Sequence, residues 1–171
     1  MNRAGSKRTR HSVWIMALAV LGGCASDPFK GHLPPDLDRA ATPLQTVAAP
    51  AKDRGQSVLW GGTIVAVHNL ADSTEIAVLS YPLDDSSYPQ SSKEATGRFI
   101  VQYDGFLDPL MYRQGRPVTV LGKLKGVRKG MVGEAPYQYP LVDGTMLHLW
   151  RNPPGLMYPR FTFGIGTGIS F

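Results

Sequence analysis

From Ser57 to Trp150 the chain is a succession of short β-type runs separated by turn residues, which restricts it to an all-β fold. Val58 to Val67 is apolar and β-branched but interrupted by Gly61-Gly62, where a long first strand is expected to bulge or bend. Thr74 to Tyr81 alternates through Ile76 and Val78 after a hairpin loop over Asn69 to Ser73, and a polar loop follows from Asp84 to Thr96. Arg98 to Tyr103 is a third strand. Pro117 to Leu124 is a fourth, with Val118, Val120 and Gly122 on one face and Thr119, Leu121 and Lys123 on the other. Tyr139 to Val142 and Thr145 to Trp150, divided by Asp143-Gly144, form a closing strand or hairpin. A long first strand with a glycine pair and five or six strands in all favour a small, partly open OB-like β-barrel over 57–151.

The front of the chain is of a different kind. Arg3, Lys7, Arg8 and Arg10 precede an uncharged apolar run from Val13 to Leu21, followed by Leu21-Gly22-Gly23-Cys24. A basic start, a short apolar stretch and small residues before a cleavage point define an export signal over 1–23. The apolar run is about half the roughly 20 residues a membrane-spanning helix requires. Cys24 is the single cysteine of the sequence. Leu-Gly-Gly-Cys resembles the lipobox of bacterial lipoproteins, which implies a diacylglyceryl group on the Cys24 thiol and an acyl chain on its freed amine. Two chains already hold a protein stably at a bilayer, so such an anchor is effectively permanent. Ala25 follows in place of the aspartate that resembles an inner-membrane retention signal, so the outer membrane is the expected destination.

Loss of the signal also removes most of the net charge. The full chain has 18 Lys and Arg against 13 Asp and Glu, and without the four basic residues of the signal 14 stand against 13. The argument for a nucleic-acid partner goes with them. With its thiol acylated the chain has none left for a disulfide or thiolate metal site. From Ala25 to about Gln56 the composition is rich in Pro, Ala, Asp and Thr, and the segment from Cys24 to Gln56 is expected to be a semi-extended tether. Leu33 to Leu44 within it is a candidate to dock on the domain.

Four blocks of sequence carry a family resemblance. They are Trp60 to Val65 (WGGTIV), Gly105 to Leu110 (GFLDPL), Gly115 to Gly122 (GRPVTVLG) and Gly133 to Pro140 (GEAPYQYP), with Leu147-His148-Leu149-Trp150 as the ending. In this order they resemble the Slp family of outer-membrane lipoproteins, from the lipobox to Trp150, with the tail after Arg151 outside the shared pattern. The resemblance implies an OB-like barrel, an outer-membrane location and stress-linked, starvation-inducible expression, and it brings no catalytic residues with it.

The residues themselves offer little chemistry. Beyond the signal and tether only His68 and His148 remain, without the close pairing of a zinc site. Asp84-Asp85 reads as a turn cap, and Asp108-Pro109 as the start of a turn or one-turn helix. Nucleophile elbow and phosphate-binding loop are both absent from the sequence. No enzyme activity, cofactor or metal is therefore expected. The stronger candidate is a basic face made by Arg113, Arg116, Lys123, Lys125, Arg128 and Lys129 around a Lys129-Gly130 turn, suited to anionic lipid, lipopolysaccharide or an acidic polymer. Its bland alternative, which is preferred, is a hairpin whose lysines blunt a sheet edge. Tyr81, Tyr88, Tyr137 and Tyr139 either line a groove for sugar or peptide or cover the barrel ends. Trp60 and Trp150 are expected to pack near each other and seal the core, with Gly61 and Gly62 in a structural role.

The tail from 152 to 171 ends in a strict alternation. Phe161, Phe163, Ile165, Ile169 and Phe171 share one side, and Thr162, Gly164, Gly166, Gly168 and Ser170 the other. The ending is similar to the closing strand of an outer-membrane barrel, but one strand cannot span lipid with its backbone groups unpaired. Docking on the barrel or on an envelope protein is expected instead. The functional expectation is a lipid-anchored, non-catalytic barrel on the periplasmic side of the outer membrane, acting in envelope structure or protein interaction. The alternative is an OB-type binding module for an anionic glycan, lipopolysaccharide or peptide.

Overall fold

The computed structural model describes residues 27–48 and 54–151, so the signal, Cys24 and the tail after Arg151 lie outside the described residues. Five strands form the domain: β1 (Ser57–Asn69), β2 (Ser73–Tyr81), β3 (Gly97–Asp104), β4 (Pro117–Val132) and β5 (Ala135–Leu149). They close in the order β1-β2-β3-β5-β4. Every neighbouring pair is antiparallel except β3 and β5, whose parallel seam is three residue pairs long, Ile100 to Gln102 against Leu141 to Asp143. The expected OB-like barrel is present with five strands, but its wall is closed and not partly open, because β5 joins β3 through the parallel seam.

Period-two alternation builds its core. Val58, Trp60, Ile76, Val78, Phe99, Val101, Val118, Val120, Leu124 and Val142 point inward and are buried. The loop from β3 to β4 closes one end: Asp108 caps a single turn through its carboxylate and carbonyl, which lowers Leu107 and Tyr112 onto the core.

Gly61-Gly62 is not a bend. Both residues stay in register with β2 and β4, and the expected bulge falls three residues later, between Ile64 and Ala66. The glycines serve close approach instead: a Cβ on Gly62 would overlap the Leu79 carbonyl, and one on Gly61 would meet Thr119 Oγ1 at 2.6 Å. Lys129-Gly130 is not a turn either. β4 continues to Val132, and the chain reverses at Gly133-Glu134, where Gly133 has φ 60°. Beyond Leu124 the β4–β5 hairpin outruns the barrel, so both its faces are largely wet and the apolar alternation that marks a strand is lost. Asp143-Gly144 does not divide β5, because a register shift opposite Leu121 and Gly122 absorbs one residue and the strand carries on.

The largest departure concerns the expected tether. Residues 27–48 are packed against the outer wall of the barrel. Phe29 is fully buried with Leu59 and Leu121, and Leu33, Leu37, Leu83 and Met146 pack around them. Ser57 Oγ donates to the Asp36 carboxylate at 3.1 Å and Trp60 Nε1 to the Ala41 carbonyl at 2.8 Å. A short helix, α1 (Pro43–Ala48), follows, with a reciprocal cap in which Thr42 Oγ1 accepts from the Gln45 amide and Gln45 Oε1 from the Thr42 amide. The docking expected of Leu33 to Leu44 thus holds and extends back to Phe29.

Candidate functional site

The six basic residues are not gathered on one face. Arg116 stands just before β4, and Arg128 and Lys129 lie near its other end. The Arg116 guanidinium is spent on two backbone carbonyls, donating to Met111 at 3.1 Å and Trp150 at 2.8 Å. Arg128 reaches across to β2 and holds Glu75 with two bonds of 2.8 Å, while Gln102 donates to the same carboxylate. Lys125 lies 4.0 Å from Asp143. Arg113, Lys123 and Lys129 remain as exposed cations, separated along the molecule.

The Glu75–Arg128 pair sets a pH dependence. The guanidinium bonds hold the Glu75 carboxyl below its ordinary range, against the opposing effect of partial burial. Arg128 is pushed up by the same contact. In the unfolded chain Glu75 titrates at its ordinary value, so the pair's stabilisation is complete above that value and is lost as pH falls through the lower folded one. Glu75→Gln is expected to cost about 1 kcal/mol at neutral pH, because a half-exposed bidentate pair is screened by solvent. Urea titrations of both proteins from pH 7 to 3 check this: the gap between them should close as the carboxylate protonates.

The aromatic side chains also separate. Tyr137 and Tyr139 meet edge to face at 4.8 Å, with the Tyr137 hydroxyl accepting from the Arg98 amide and the Tyr139 hydroxyl donating to the Met131 carbonyl. Burial raises the Tyr139 pKa, and that of Tyr112 beneath the end loop. Tyr88 packs on Trp150, and Tyr81 lines a cleft between the N-terminal segment and the β2–β3 loop. That cleft, about 410 Å³, has Trp60 and Leu83 in its lining, together with Arg39, Asp84 and Asp85. Asp84 caps its turn by accepting from the Ser86 and Tyr88 amides.

Trp60 and Trp150 do not seal the core together. Trp60 shares the inward face with Val58 and meets Phe99 edge to face at 5.3 Å. Trp150 continues the outward face of β5, where its ring meets His148 at 4.3 Å and its Nε1 donates to Thr119 Oγ1. His148 in turn meets Phe29 at 6.4 Å, so this histidine is part of an aromatic contact under the N-terminal segment. Among the described residues no three His, Cys, Asp or Glu side chains converge as a metal site would require.

What sequence reasoning missed is an apolar end. The turn between β1 and β2 is tied to the β3–β4 loop: the Gly105 amide donates to the Asp72 carbonyl, Thr74 Oγ1 to the Gly105 carbonyl and Asn69 Nδ2 to the Leu107 carbonyl. On these tied loops Leu70, Phe106, Leu110 and Met111 are 54%, 73%, 82% and 53% exposed. Large exposed apolar residues grouped in this way mark contact surfaces. Phe106 and Leu110 fall within a block of the family resemblance, which was the one available signal.

The chain is similar to several known proteins. Two curated relatives come from Escherichia coli K12. "Uncharacterized lipoprotein YeaY" is 32% identical over 156 residues, covering 86% of this chain and 78% of its own, and "Outer membrane protein Slp" is 29% identical over 157 residues, covering 89% and 82%. An "Uncharacterized protein" of Haemophilus influenzae is 37% identical over 105 residues, 61% of this chain and 57% of its own. Similarity to solved structures is weaker: the small single-stranded DNA-binding protein of Streptomyces coelicolor overlaps 56% of this chain and 94% of its own, at 17% identity and TM-score 0.38. The profile described as "Outer membrane lipoprotein Slp family" matches residues 21–164, which carries the shared pattern past Arg151 and into the tail, further than the resemblance alone had placed it. From residue 21, through barrel and end loops, to residue 164, the chain belongs to the outer membrane lipoprotein Slp family.

Proposed function

We propose that the protein is an acylated envelope lipoprotein whose barrel makes non-catalytic contacts with another envelope component on the periplasmic side of the outer membrane. The observation that carries this reading is the contrast between a filled interior and an apolar end. The inward positions of the strands are packed and the outer wall beside β1 and β4 is covered by residues 27–41, while four large apolar side chains stand exposed where the loops meet. Among the described residues the barrel interior is packed, the cleft beside Tyr81 lying between the N-terminal segment and the β2–β3 loop, and an exposed apolar end suits contact with polypeptide. The basic side chains give less support to the alternative of an anionic-ligand module, because Arg116 and Arg128 are occupied within the fold.

Cys24 carries the location. With its thiol and amine acylated, the buried methylenes fix the molecule at the bilayer irrespective of the barrel. Cys24→Ser is expected to move the protein from the membrane pellet to the soluble periplasmic fraction, with the acyl mass lost from the intact polypeptide. A serine variant that still pellets with outer membranes would refute the anchor. In-cell photocrosslinking from Phe106 should then give a discrete protein adduct in the wild type.

A further inference from the structure

We infer that the apolar end formed by Leu70, Phe106, Leu110 and Met111 is the docking site of the chain's own C-terminal strand, residues 161–171. The inference rests on the reading above that this end is a contact surface, but assigns its occupant within the chain in place of another envelope component, and it stands on three observations.

The first is where the described chain stops. Trp150 donates its amide to the Pro117 carbonyl, and the guanidinium of Arg116 holds the Trp150 carbonyl with one nitrogen and the Met111 carbonyl with another. A single side chain therefore joins the point of departure of the tail to the apolar end. Nine residues, 152–160, separate Arg151 from Phe161. Extended, they reach about 30 Å, enough to bring the strand back over the end loops of a small barrel.

The second is shape and polarity. The 161–171 alternation gives five large apolar side chains, interrupted by Thr167, on one side and threonine, serine and glycine on the other. A strand of that kind covers an apolar surface with one face and leaves a small, polar one outside.

The third is charge, and it separates this occupant from a lipid bilayer. Asp72 and Asp108 are exposed on the loops that carry the apolar residues and Asp104 at the end of β3, against Arg113 and the bonded Arg116 on the same loop, which leaves a net acidic rim, unfavourable for an anionic membrane surface. The tail, by contrast, has no Asp or Glu after Arg151 and carries Arg160 immediately before the strand. The two surfaces are complementary in sign as well as in polarity.

The test is maleimide labelling of Leu110→Cys in the full-length acylated protein in isolated outer membranes, where the thioether of Cys24 does not react. It compares the native tail with the triple variant F161S/F163S/I165S. Covering by the tail slows Leu110→Cys labelling about fivefold or more, whereas Leu44→Cys, beside Gly97 at the far end of β3, reacts equally with either tail. Equal rates at Leu110→Cys overturn the proposal. A second arm pairs Leu110→Cys with Phe163→Cys under mild oxidation: a monomeric disulfide species supports docking within the chain, and a disulfide-linked dimer gives the site to a second copy and overturns it. Both arms can be repeated on purified Cys24→Ser protein in solution, so failure of the anchor and failure of the docking are distinguishable. If labelling shows no protection but a crosslink from Phe106 captures another envelope protein, the interaction reading survives and this one does not.

Discussion

Replacement of Trp60 by alanine is expected to destabilise the protein by about 3–5 kcal/mol, the range for removing a large buried aromatic from a packed core. The indole lies within the barrel at 4% exposure, its edge against Phe99, with Val58, Val78 and Val120 in the same core. Removing it leaves a void the neighbours can fill only in part, since β1 is held on both sides by β2 and β4. A second loss adds to this. Trp60 Nε1 is the donor that satisfies the Ala41 carbonyl, so the substitution also loosens the segment that covers the outer wall. Urea denaturation followed by Phe and Tyr fluorescence or circular dichroism measures the effect. Trp60→Phe, which keeps most of the volume and loses the hydrogen bond, should fall between wild type and alanine. An alanine variant with unchanged midpoint and slope would mean that the residue is not part of the core.

The barrel was legible because its inward residues obey a simple period. Ile76 and Val78, Val118 and Val120 alternate with polar or small partners, while Val58 and Trp60 flank the outward Leu59, and a pattern of that kind has few solutions in a chain of this length. Legibility failed where burial did not alternate. Beyond Leu124 most of the β4–β5 hairpin is wet on both faces, Tyr139 and Pro140 excepted, so Lys129-Gly130 had the composition of a turn while remaining paired with Tyr137 and Gln138. Glycine was ambiguous for the same reason: at Gly61-Gly62 it marks a place where a neighbouring carbonyl comes close, and nothing local distinguishes this from a bulge. The candidate basic face failed through long-range partners. Glu75 lies 53 residues before Arg128, and only the closing of the barrel brings them to 2.8 Å. The apolar end is likewise a product of topology, because Leu70 and Leu110 are distant in sequence and their loops meet through hydrogen bonds made by Asn69, Thr74 and Gly105. The strap of residues 27–41 was hidden by composition: prolines and aspartates lower its mean hydropathy, yet a few well-placed residues, Phe29 above all, suffice to bind it to a wall that is already folded.

Phe29→Ala is expected to cost about 3–4 kcal/mol of global stability, close to the effect at Trp60 although the residue lies outside the barrel. The ring is fully buried and is the centre of a second cluster with Leu59 and Leu121, and its loss would expose the outward apolar side chains of β1 and β4 together. Two measurements separate a cooperative role from local detachment. If the strap is one unit with the barrel, the urea midpoint falls and trypsin cuts after Lys30 and Arg39 only as fast as the whole protein unfolds. If it is a weaker unit of its own, cleavage at those sites accelerates while the midpoint stays in place, and the prediction fails. The tie of Trp60 to Ala41 and of Ser57 to Asp36 favours the cooperative outcome, because both join the strap to residues of β1. The consequence reaches the membrane. Phe29 is five residues after Cys24, a distance of at most about 18 Å when extended. With Cys24 acylated as proposed, the barrel is held directly over the lipid surface with the Leu59–Leu121 wall nearest the anchor. In Phe29→Ala the first apolar contact after the anchor becomes Leu33, four residues further on, so the leash lengthens and the barrel gains freedom to rise and turn. Fluorescence quenching by lipid-attached nitroxides, read from a probe at Lys123 of β4, should therefore weaken in the variant while the protein stays in the membrane fraction.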